Sequence, residues 1–216
     1  MIHTILIADD HPVVLSGLRA LIDADPTFNV VATASDGAQA MDRIAQLAPD
    51  IAVLDFRMPL QSGLEVLGRI RVQNLRTRVV ILAAAASDHD VHAIVTAGAR
   101  GLLFKESAPQ VLLECLDAVA RGETWMPDGT DQIVARTAEQ RDLWQSRLLS
   151  LTNREFEIVR LVNSGSSNKE IAYALQLREG TVKVHLYNIF RKLDVKTRAE
   201  LVARAQRQPL LARSNA

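Results

Sequence analysis

Five short apolar runs alternate with helical patterns along the first 120 residues, and this alternation limits the possible folds more than any other feature. Between the first two runs, Leu15, Leu18 and Ile22 recur at the spacing of one helix face. Strands that alternate with helices favour a parallel sheet covered by helices on both faces. The sequence therefore predicts an α/β domain on a five-stranded parallel sheet, with strands at residues 2–8, 29–34, 51–55, 78–83 and 101–104.

Charged side chains stand where three of these strands end. Asp9 and Asp10 follow the first strand, and Asp55 ends the third. Lys105 follows the fifth. Carboxyl ends of parallel strands meet at one edge of the sheet, where binding sites form. The alternative is that these are ordinary solvated loop residues, but their occurrence at three strand ends favours a common site.

The chemistry of such a site follows from its charges. Three carboxylates so close repel one another unless a hard divalent cation such as Mg²⁺ lies among them. Asp55 then has the geometry of a nucleophile that accepts a phosphoryl group as an acyl phosphate. Asp9 and Asp10 would hold the metal, and Lys105 would pair with the phosphoryl oxygens.

Three segments, ILIADDHP, VLDFRMPLQSG and GARGLLFKES, resemble the receiver domain of two-component response regulators. The resemblance covers residues 1–121 and implies a flavodoxin-like sheet with strand order 2-1-3-4-5. It implies that a sensor histidine kinase or a small phosphodonor phosphorylates Asp55, and that Lys105 binds the phosphoryl group. The Mg²⁺ ligands implied by the resemblance are Asp9, Asp10, Asp55 and the backbone carbonyl of Arg57.

Two positions depart from that family's pattern. Its fourth strand ends in Thr or Ser, whose hydroxyl binds the phosphoryl group, and its fifth strand carries an aromatic switch residue. The corresponding residues here are Ala83, within VVILAAAASD, and Leu102; the next hydroxyl along the chain is Ser87. A hydrogen bond to a charged group contributes about 1.5–3 kcal/mol, as much as a typical allosteric coupling of about 1–3 kcal/mol. We therefore expect that Asp55 can be phosphorylated but that the conformational response is weak or rerouted.

The charge of the chain is unevenly distributed, although its net charge is zero. Residues 1–120 hold 9 Lys or Arg and 14 Asp or Glu, whereas residues 149–216 hold 12 and 6. An acidic half joined to a basic half suggests two domains, the second with a polyanionic partner. Residues 122–148 contain Gly122, Pro127 and Gly129 ahead of a polar helical stretch, and they are predicted to be the linker.

Several features bear on where the protein works. No apolar run approaches the roughly 18 residues that a membrane-spanning helix needs, so no membrane association is expected. The start of the chain, MIHTILIADDHP, reaches two aspartates before any long apolar stretch and does not resemble a secretory signal. Cys115 is the single cysteine, which excludes an internal disulfide and suits a reducing compartment. A cytoplasmic protein is expected.

Residues 149–212 have a helical period throughout, and their helix starts are clearly marked. Each of three capping boxes pairs a hydroxyl with a glutamate three residues later: Thr152 with Glu155, Ser167 with Glu170, and Thr197 with Glu200. The pattern predicts a separate all-α domain of four helices, near residues 153–164, 168–175, 180–193 and 198–208. Short turns between these helices indicate a helix-turn-helix unit.

The third of these helices carries the functional signal. Its buried stripe is predicted to be Val182, Leu186, Ile189, Phe190 and Leu193. The opposite face presents cations, an amide and an aliphatic methyl, which suit the major groove of DNA: Lys183, Val184, Tyr187, Asn188 and Arg191. This face alone is equally typical of a solvated helix. Asn168 and Lys169 on the preceding helix, together with the net positive charge of residues 149–216, favour a DNA-binding role.

The stretch from Leu151 to Val202 strongly resembles the LuxR-type DNA-binding domain. Together with the receiver segments, it makes the chain similar to the NarL/FixJ family of transcriptional regulators. The resemblance implies a homodimer contact through the fourth helix and places on or near double-stranded DNA the residues Thr181, Lys183, Val184, His185 and Tyr187. Arg178 departs from the Ser or Thr that often caps the recognition helix, and Tyr187 stands where a lysine is common.

Two other functions remain open at this point. A metal-dependent phosphotransferase or phosphatase turning over at Asp55 would need a general acid or base nearby, and Arg57 rather than an acid lies two residues on. A receiver that does not use phosphorylation, and responds to a ligand or partner protein, is compatible with the alanine-lined strand end. The histidines at 3, 11, 89 and 92 lack metal-ligand spacing and are expected at surface or capping positions.

Overall fold

The computed structural model describes residues 2–206. The described residues divide into two compact units, the first ending at Thr137 and the second beginning at Ala138. The first unit contains a five-stranded parallel sheet in the order β2-β1-β3-β4-β5, which confirms the predicted fold class and strand order. The strands are β1 His3–Ala8, β2 Phe28–Ala34, β3 Ile51–Asp55, β4 Arg78–Ala83 and β5 Gly101–Phe104.

Helices cover both faces of this sheet because alternate strand residues point to opposite sides. Leu6 and Leu54 pack on one face against α2, α3 and α4, while Ile7 and Val53 pack on the other against α1 and α5. Cys115 of α5 lies in the second layer as a buried free thiol, and burial raises its pKa to about 12. The helices are α1 Pro12–Asp23, α2 Gly37–Leu47, α3 Gly63–Val72, α4 Asp88–Ala97 and α5 Ala108–Ala120.

The chain after α5 pairs with the edge of the sheet. Trp125 forms a parallel bridge with Gly101; its N–H donates to the carbonyl of Arg100 at 2.8 Å, and its carbonyl accepts from the N–H of Leu102 at 2.9 Å. Met126 and Ile133 then pack against the core layer that contains β4 and α4. The segment that was predicted to be a linker therefore begins with a parallel β-bridge to the edge strand β5.

The rest of that segment forms α6, Thr130–Leu149, and the division between the two units falls within this helix. In its first turns Arg136 forms an ion pair with Asp88, the first residue of α4. The polar helical stretch predicted for residues 122–148 is thus one helix of 20 residues that contributes to both units.

Gly63 allows α3 to begin directly against the end of β3. A Cβ at Gly63 would lie 2.4 Å from the backbone carbonyl oxygen of Asp55. We expect Gly63→Ala to lower the free energy of unfolding by about 1–3 kcal/mol, because either β3 or α3 must move. Urea denaturation of the full chain measures this loss.

Gly68, in the interior of the same helix, gives the matched control. A Cβ there meets no atom within 4 Å. Gly68→Ala should raise the free energy of unfolding by about 0.5–1 kcal/mol, because alanine has the higher helix propensity. Equal effects of the two substitutions would contradict the close contact between Gly63 and Asp55.

The second unit is helical. Its helices are α7 Asn153–Asn163, α8 Asn168–Ala174, α9 Glu179–Leu193 and α10 Arg198–Gln206, which confirms the four predicted helices. The last two residues of the predicted helix 198–208 and the end of the predicted domain, 209–212, lie outside the described residues. The core of this unit brings together Val159, Ile171, Leu186 and Leu201 from the four helices, together with Trp144 of α6. No helix between residues 2 and 206 combines the length and apolar composition that a membrane crossing requires.

The capping boxes set the helix starts as the sequence indicated. Both reciprocal hydrogen bonds are present for Thr152 with Glu155 and for Ser167 with Glu170. The third start differs, because the Glu200 carboxylate reaches one residue further and accepts from the N–H of Lys196 at 2.9 Å. The Glu200 N–H still donates to the Thr197 hydroxyl at 3.1 Å.

Glu155 connects the Thr152 cap of α7 to α9, the candidate recognition helix. Its carboxylate accepts from the Thr152 N–H at 2.8 Å and from the Lys192 ammonium at 2.6 Å, and the residue is 5% exposed. Burial raises the pKa of Glu155, but the hydrogen bonds from Lys192 and Thr152 together outweigh burial and leave the pKa lowered. Because the folded pKa lies below the unfolded value, this stabilisation is present above the unfolded pKa and is lost as the pH falls through the folded pKa.

We therefore expect the second unit to lose stability in acid, and Glu155→Gln to flatten that dependence. Thermal unfolding followed by Trp144 fluorescence in a Trp125→Phe background would report on this unit, since Trp144 lies in its core. Glu157→Gln is the control, because Glu157 is exposed and pairs with Arg154 on the surface. An unchanged pH slope in Glu155→Gln would contradict the contribution of this carboxylate.

Candidate functional site

The acidic site lies at the carboxyl ends of the strands. Asp9 follows β1 and is fully buried, and Asp55 ends β3 at 4% exposed, whereas Asp10 and His11 are exposed. One ligand atom from each of these four residues lies within 4.8 Å of the others. The ammonium of Lys105, which follows β5, lies 2.7 Å from an Asp9 carboxylate oxygen and 3.0 Å from an Asp55 oxygen. The structure thus brings together the three predicted carboxylates and the predicted lysine.

The electrostatics of the site follow from burial. Burial raises the pKa of Asp55, and the nearby Asp9 carboxylate raises it further, whereas the hydrogen bonds from Lys105 and from the Arg57 N–H oppose this rise. Burial disfavours the charged form of Lys105, but hydrogen bonds to Asp9 and Asp55 leave the lysine pKa raised. One ammonium therefore serves two buried carboxylates, so an anionic Asp55 is incompletely compensated. A divalent cation would supply the missing charge.

The donor set fits Mg²⁺, which prefers carboxylate and carbonyl oxygens and keeps open positions for phosphate. Asp9, Asp10 and Asp55 offer such oxygens within one cluster. The Arg57 N–H donates a hydrogen bond to the Asp55 carboxylate, which opposes the rise of the Asp55 pKa. Ligation of the metal by the Arg57 carbonyl stays a prediction.

His11 is a residue of this site that the sequence reasoning missed. It was expected at a surface or capping position, and it is indeed exposed at the N-cap of α1. Its Nδ1, however, lies 2.7 Å from an Asp10 oxygen and 3.2 Å from an Asp9 oxygen. The available signal was its place directly after Asp10 at the strand end. His92 also differs from expectation, since both its ring nitrogens are buried.

Ala83 is the residue predicted to replace the family's Thr or Ser. The residue is fully buried at the end of β4, and its carbonyl accepts from the Lys105 N–H at 2.9 Å. Ser87, the next hydroxyl along the chain, caps α4 instead. Its oxygen donates to the Asp90 carboxylate at 2.7 Å and accepts from the Asp90 N–H at 3.3 Å. The Ser87 hydroxyl is therefore bonded within the start of α4.

Leu102 is the other residue predicted to depart from the family's pattern. The side chain is fully buried in the layer that contains α4, and it presents no polar atom to the acidic site. Its backbone N–H donates to the Trp125 carbonyl, as described above. Leu102, three residues before Lys105, is therefore joined to the segment after α5 by a backbone hydrogen bond.

In the second unit, α9 has one buried apolar face and one polar face. Val182, Leu186, Ile189 and Leu193 are buried, as predicted, and Phe190 is half-buried. Val184 and Tyr187 are 60% and 63% exposed, so both side chains are available on the surface of α9. The predicted DNA-facing residues divide into an exposed group, Thr181, Lys183, Val184, Tyr187 and Arg191, and a half-buried pair, His185 and Asn188.

Two cationic side chains on the exposed face of α9 contact neighbours on the same helix. The Lys183 ammonium lies 3.3 Å from a Glu179 carboxylate oxygen in an exposed ion pair, which contributes little to stability. The Arg191 guanidinium lies over the Tyr187 ring, 5.9 Å from its centre. Arg178, at the N-cap of α9, makes no side-chain capping bond, as expected where arginine replaces the usual Ser or Thr.

Asn168 and Lys169, predicted to approach DNA from α8, differ in their surroundings. Lys169 is exposed. Asn168 is half-buried, and its side-chain oxygen accepts from the Arg198 guanidinium at 3.0 Å. Arg198 also donates to the Ser166 carbonyl, so this contact ties α8 to α10. The Asn168 oxygen thus has a role within the fold.

Comparison with known families defines the class of protein. Residues 5–117 match the response regulator receiver domain, and residues 149–205 match the bacterial regulatory proteins of the luxR family. A receiver domain joined to a LuxR-type helix-turn-helix domain makes this chain a DNA-binding response regulator of a two-component system.

Relatives specify the family. The nitrate/nitrite response regulator protein NarP of Escherichia coli (strain K12) is 39% identical over 194 residues, which are 90% of each chain. The transcriptional regulatory protein LiaR of Bacillus subtilis is 31% identical over 210 residues, covering 96% of this chain and 98% of LiaR. The chain belongs to the NarL/FixJ family of two-component response regulators.

Solved structures agree with the fold. The RcsB response regulator of Salmonella typhimurium superposes with a TM-score of 0.67 at 22% identity, over 93% of this chain and 98% of RcsB. The receiver domain of the NarL response regulator of Mycobacterium tuberculosis has a TM-score of 0.55 at 32% identity, over 56% of this chain and 98% of that domain.

Proposed function

We propose that this protein is a cytoplasmic transcriptional regulator in which Asp55 accepts a phosphoryl group while the coupling of that group to DNA binding is weak. The phosphoryl group would come from a sensor histidine kinase or a small phosphodonor, with Mg²⁺ held by Asp9, Asp10 and Asp55. Double-stranded DNA is the partner of the second unit, which would bind as a homodimer. The single observation that carries the weak coupling is Ala83, beside Lys105, with the Ser87 hydroxyl committed to capping α4.

The DNA-binding part of the proposal is supported by the exposed face of α9. Lys183 and Arg191 supply cations, and Val184 supplies a methyl-bearing side chain that can contact thymine. A solved structure of RcsB is described as a complex with DNA, and another as two RcsB dimers bound to two parallel DNAs. By analogy, two copies of this chain would place their α9 helices in major grooves about one helical turn apart.

The phosphorylation part is supported by the geometry of the acidic site. Asp55 is nearly buried beside Lys105, so an incoming phosphoryl oxygen would meet an ammonium already in place. Phosphorylation would convert the Asp55 carboxylate, whose pKa is raised by burial, into a mixed carboxylic–phosphoric anhydride, and a metal held by Asp9 and Asp10 would offset the charge of the phosphoryl oxygens. Neither step requires the hydroxyl that Ala83 lacks.

The backbone offers another route from this site to the rest of the chain. Lys105 follows β5, and β5 is bonded through Leu102 and Arg100 to Trp125. A shift of Lys105 toward a phosphoryl group would pull on β5 and hence on the start of the segment that leads into α6. This coupling needs no rotating aromatic side chain. Because it acts through the backbone hydrogen bonds of Trp125, it would transmit only a small displacement of β5.

A receiver that does not use phosphorylation is the second candidate, and the same absent hydroxyl favours it. In that case a ligand or a partner protein would control DNA binding, and Asp55 would not be modified. Incorporation of phosphate at Asp55 distinguishes the two candidates.

The test of DNA recognition is selection of genomic fragments by the purified full chain, followed by affinity measurement on the enriched sites at physiological salt. We expect enriched sites to bind at least about a thousandfold more tightly than unrelated duplexes. Equal affinity for enriched and unrelated duplexes would refute sequence recognition by α9.

Restoring the hydroxyl should strengthen the coupling. We expect Ala83→Ser to raise the gain in DNA affinity on beryllofluoride treatment, a stable analogue of phosphorylation, by about tenfold over the gain of the unsubstituted protein. Serine is chosen because Ala83 is fully buried and has little room for a larger side chain. The measured quantity is the ratio of dissociation constants with and without the analogue.

Ala84→Ser is the matched control, because Ala84 is exposed and one residue further from the strand. It adds the same hydroxyl at a position that does not accept from the Lys105 N–H. An equal gain in both variants, or no gain in Ala83→Ser with the fold intact, would show that the absent hydroxyl does not limit coupling.

A further inference from the structure

A cavity of about 260 Å³ opens at the amino-terminal edge of the sheet, opposite the acidic site. It lies between the last turns of α3 and α4, where β4 begins and the chain enters β5. Apolar side chains close its base, among them Leu67, Ile70 and Val79, which belong to the buried core.

The charge of this cavity is exceptional within its unit. Four arginines line it: Arg71, Arg76, Arg78 and Arg100. Residues 1–120 contain only nine lysines and arginines, so nearly half of them meet at one place in an otherwise acidic unit. The described residues that line the cavity include no Asp or Glu. Like charges gathered in this way repel one another unless an anion lies among them.

The existing contacts leave two of these guanidinium groups available. Arg71 donates to the Thr96 carbonyl at 3.0 Å, and Arg78 donates to the Ala120 carbonyl at 3.4 Å. Arg76 and Arg100 are exposed, and neither forms an ion pair with another residue in the range 2–206. Arg71, Arg76 and Arg78 come from one stretch of eight residues, and the fold brings Arg100 to them from the chain that enters β5.

Helix ends oppose anion binding here, but they do not outweigh the arginines. The carboxyl ends of α3 and α4 each carry about half a negative charge toward this edge of the sheet. Arg71 already contacts the α4 end through Thr96. The remaining guanidinium charge exceeds the charge of both helix ends, and planar guanidinium groups bind phosphate oxygens through paired hydrogen bonds.

We propose that this cavity binds a small polyanion of the diphosphate class, with Arg76 and Arg100 as its principal contacts. The volume is below the roughly 300–1,000 Å³ of pockets that enclose drug-sized ligands, which favours a compact anion over a whole nucleotide. The lining offers little apolar surface on which a nucleobase could pack. Besides the core side chains at the bottom of the cavity, its apolar side chains are those of Leu75 and Ala97. This site is separate from Asp55 and from α9, and it does not depend on the function proposed for either.

The test uses pyrophosphate as the probe and isothermal titration of the full chain at low salt. EDTA is present, so no metal can hold the probe at the acidic site. We expect one saturable site per chain, and Arg76→Gln with Arg100→Gln should weaken it at least about tenfold. Arg19→Gln with Arg69→Gln removes the same charge from exposed positions outside the cavity and should change the affinity less than about twofold.

Two further measurements complete the test. Lys183→Ala should leave pyrophosphate binding unchanged, which separates this site from the DNA-binding face. Amide resonances of the unsubstituted protein around Thr77 and Gly98 should shift on titration, a result that does not depend on how the variants fold. Absence of saturable binding, equal losses in the two double variants, loss in Lys183→Ala, or amide shifts confined to other regions would overturn the proposal.

Discussion

Asp55→Asn is expected to abolish phosphoryl incorporation from a small phosphodonor, whereas the unsubstituted protein should take up one phosphoryl group per chain. The reason is that the amide of asparagine is not a nucleophile, and an acyl phosphate needs the carboxylate. Asp55 is the carboxylate at the end of β3 that contacts Lys105 at 3.0 Å and lies in the cluster suited to Mg²⁺. Mass spectrometry of the intact chain measures the added phosphoryl group.

Asp23→Asn provides the matched control for this experiment. Asp23 ends α1 and pairs with Arg19 on the surface, so the same change of charge there should leave incorporation intact. EDTA should prevent incorporation in the unsubstituted protein, because the metal offsets the charge of the phosphodonor and of the carboxylates. Full incorporation in Asp55→Asn would remove Asp55 as the acceptor. Absence of incorporation in the unsubstituted protein would favour a receiver that does not use phosphorylation.

Lys183→Ala is expected to weaken binding to an enriched DNA site by about tenfold and to reduce the slope of log K against log salt by about one. Lys183 is exposed on α9, and among residues 2–206 its ammonium pairs with Glu179 alone, at the surface. That pair contributes little, so the ammonium can turn to a phosphate or a base edge at small expense. Electrophoretic mobility or fluorescence anisotropy at several salt concentrations gives both quantities.

Arg160→Ala is the control, since Arg160 is exposed on α7 and lies outside the predicted DNA-facing set. It removes the same charge from the same unit, so any general electrostatic effect appears in both variants. Unchanged affinity of Lys183→Ala at low and at high salt would remove this part of α9 from the interface. Equal weakening by both substitutions would indicate adhesion through net charge rather than a defined contact.

The sequence predicted the strands and helices well because their ends carry local chemical signals. Each strand is a dense apolar run closed by Asp, Lys or a turn, and β3, β4 and β5 have the predicted bounds. The helices of the second unit begin at capping boxes, whose hydrogen bonds depend on residues three apart. The bridge between Trp125 and Gly101 had no such signal, because it joins backbone groups far apart in the chain. The fold, rather than any periodicity, decides that pairing.

The candidate sites show the same division. The acids at the ends of β1 and β3 were predictable, since a parallel sheet brings its carboxyl ends together. The contact of His11 with Asp9 and Asp10 was not, because it depends on the rotamer of an exposed ring at a helix start. Capping of α4 by Ser87 was also unexpected, although Asp90 stands at the required spacing. The arginine-lined cavity joins the segment 71–78 to Arg100, and no local pattern connects these two parts of the chain.

The most direct test of the account compares the dissociation constant of the unsubstituted full chain for an enriched DNA site before and after beryllofluoride treatment. Protein concentration and salt are held the same, and Asp55→Asn serves as the untreatable reference. Typical allosteric couplings change affinity about 5–150-fold. The absent hydroxyl at Ala83 predicts a gain below about fivefold. A larger gain that disappears in Asp55→Asn would contradict the weak coupling between Asp55 and the DNA-binding unit.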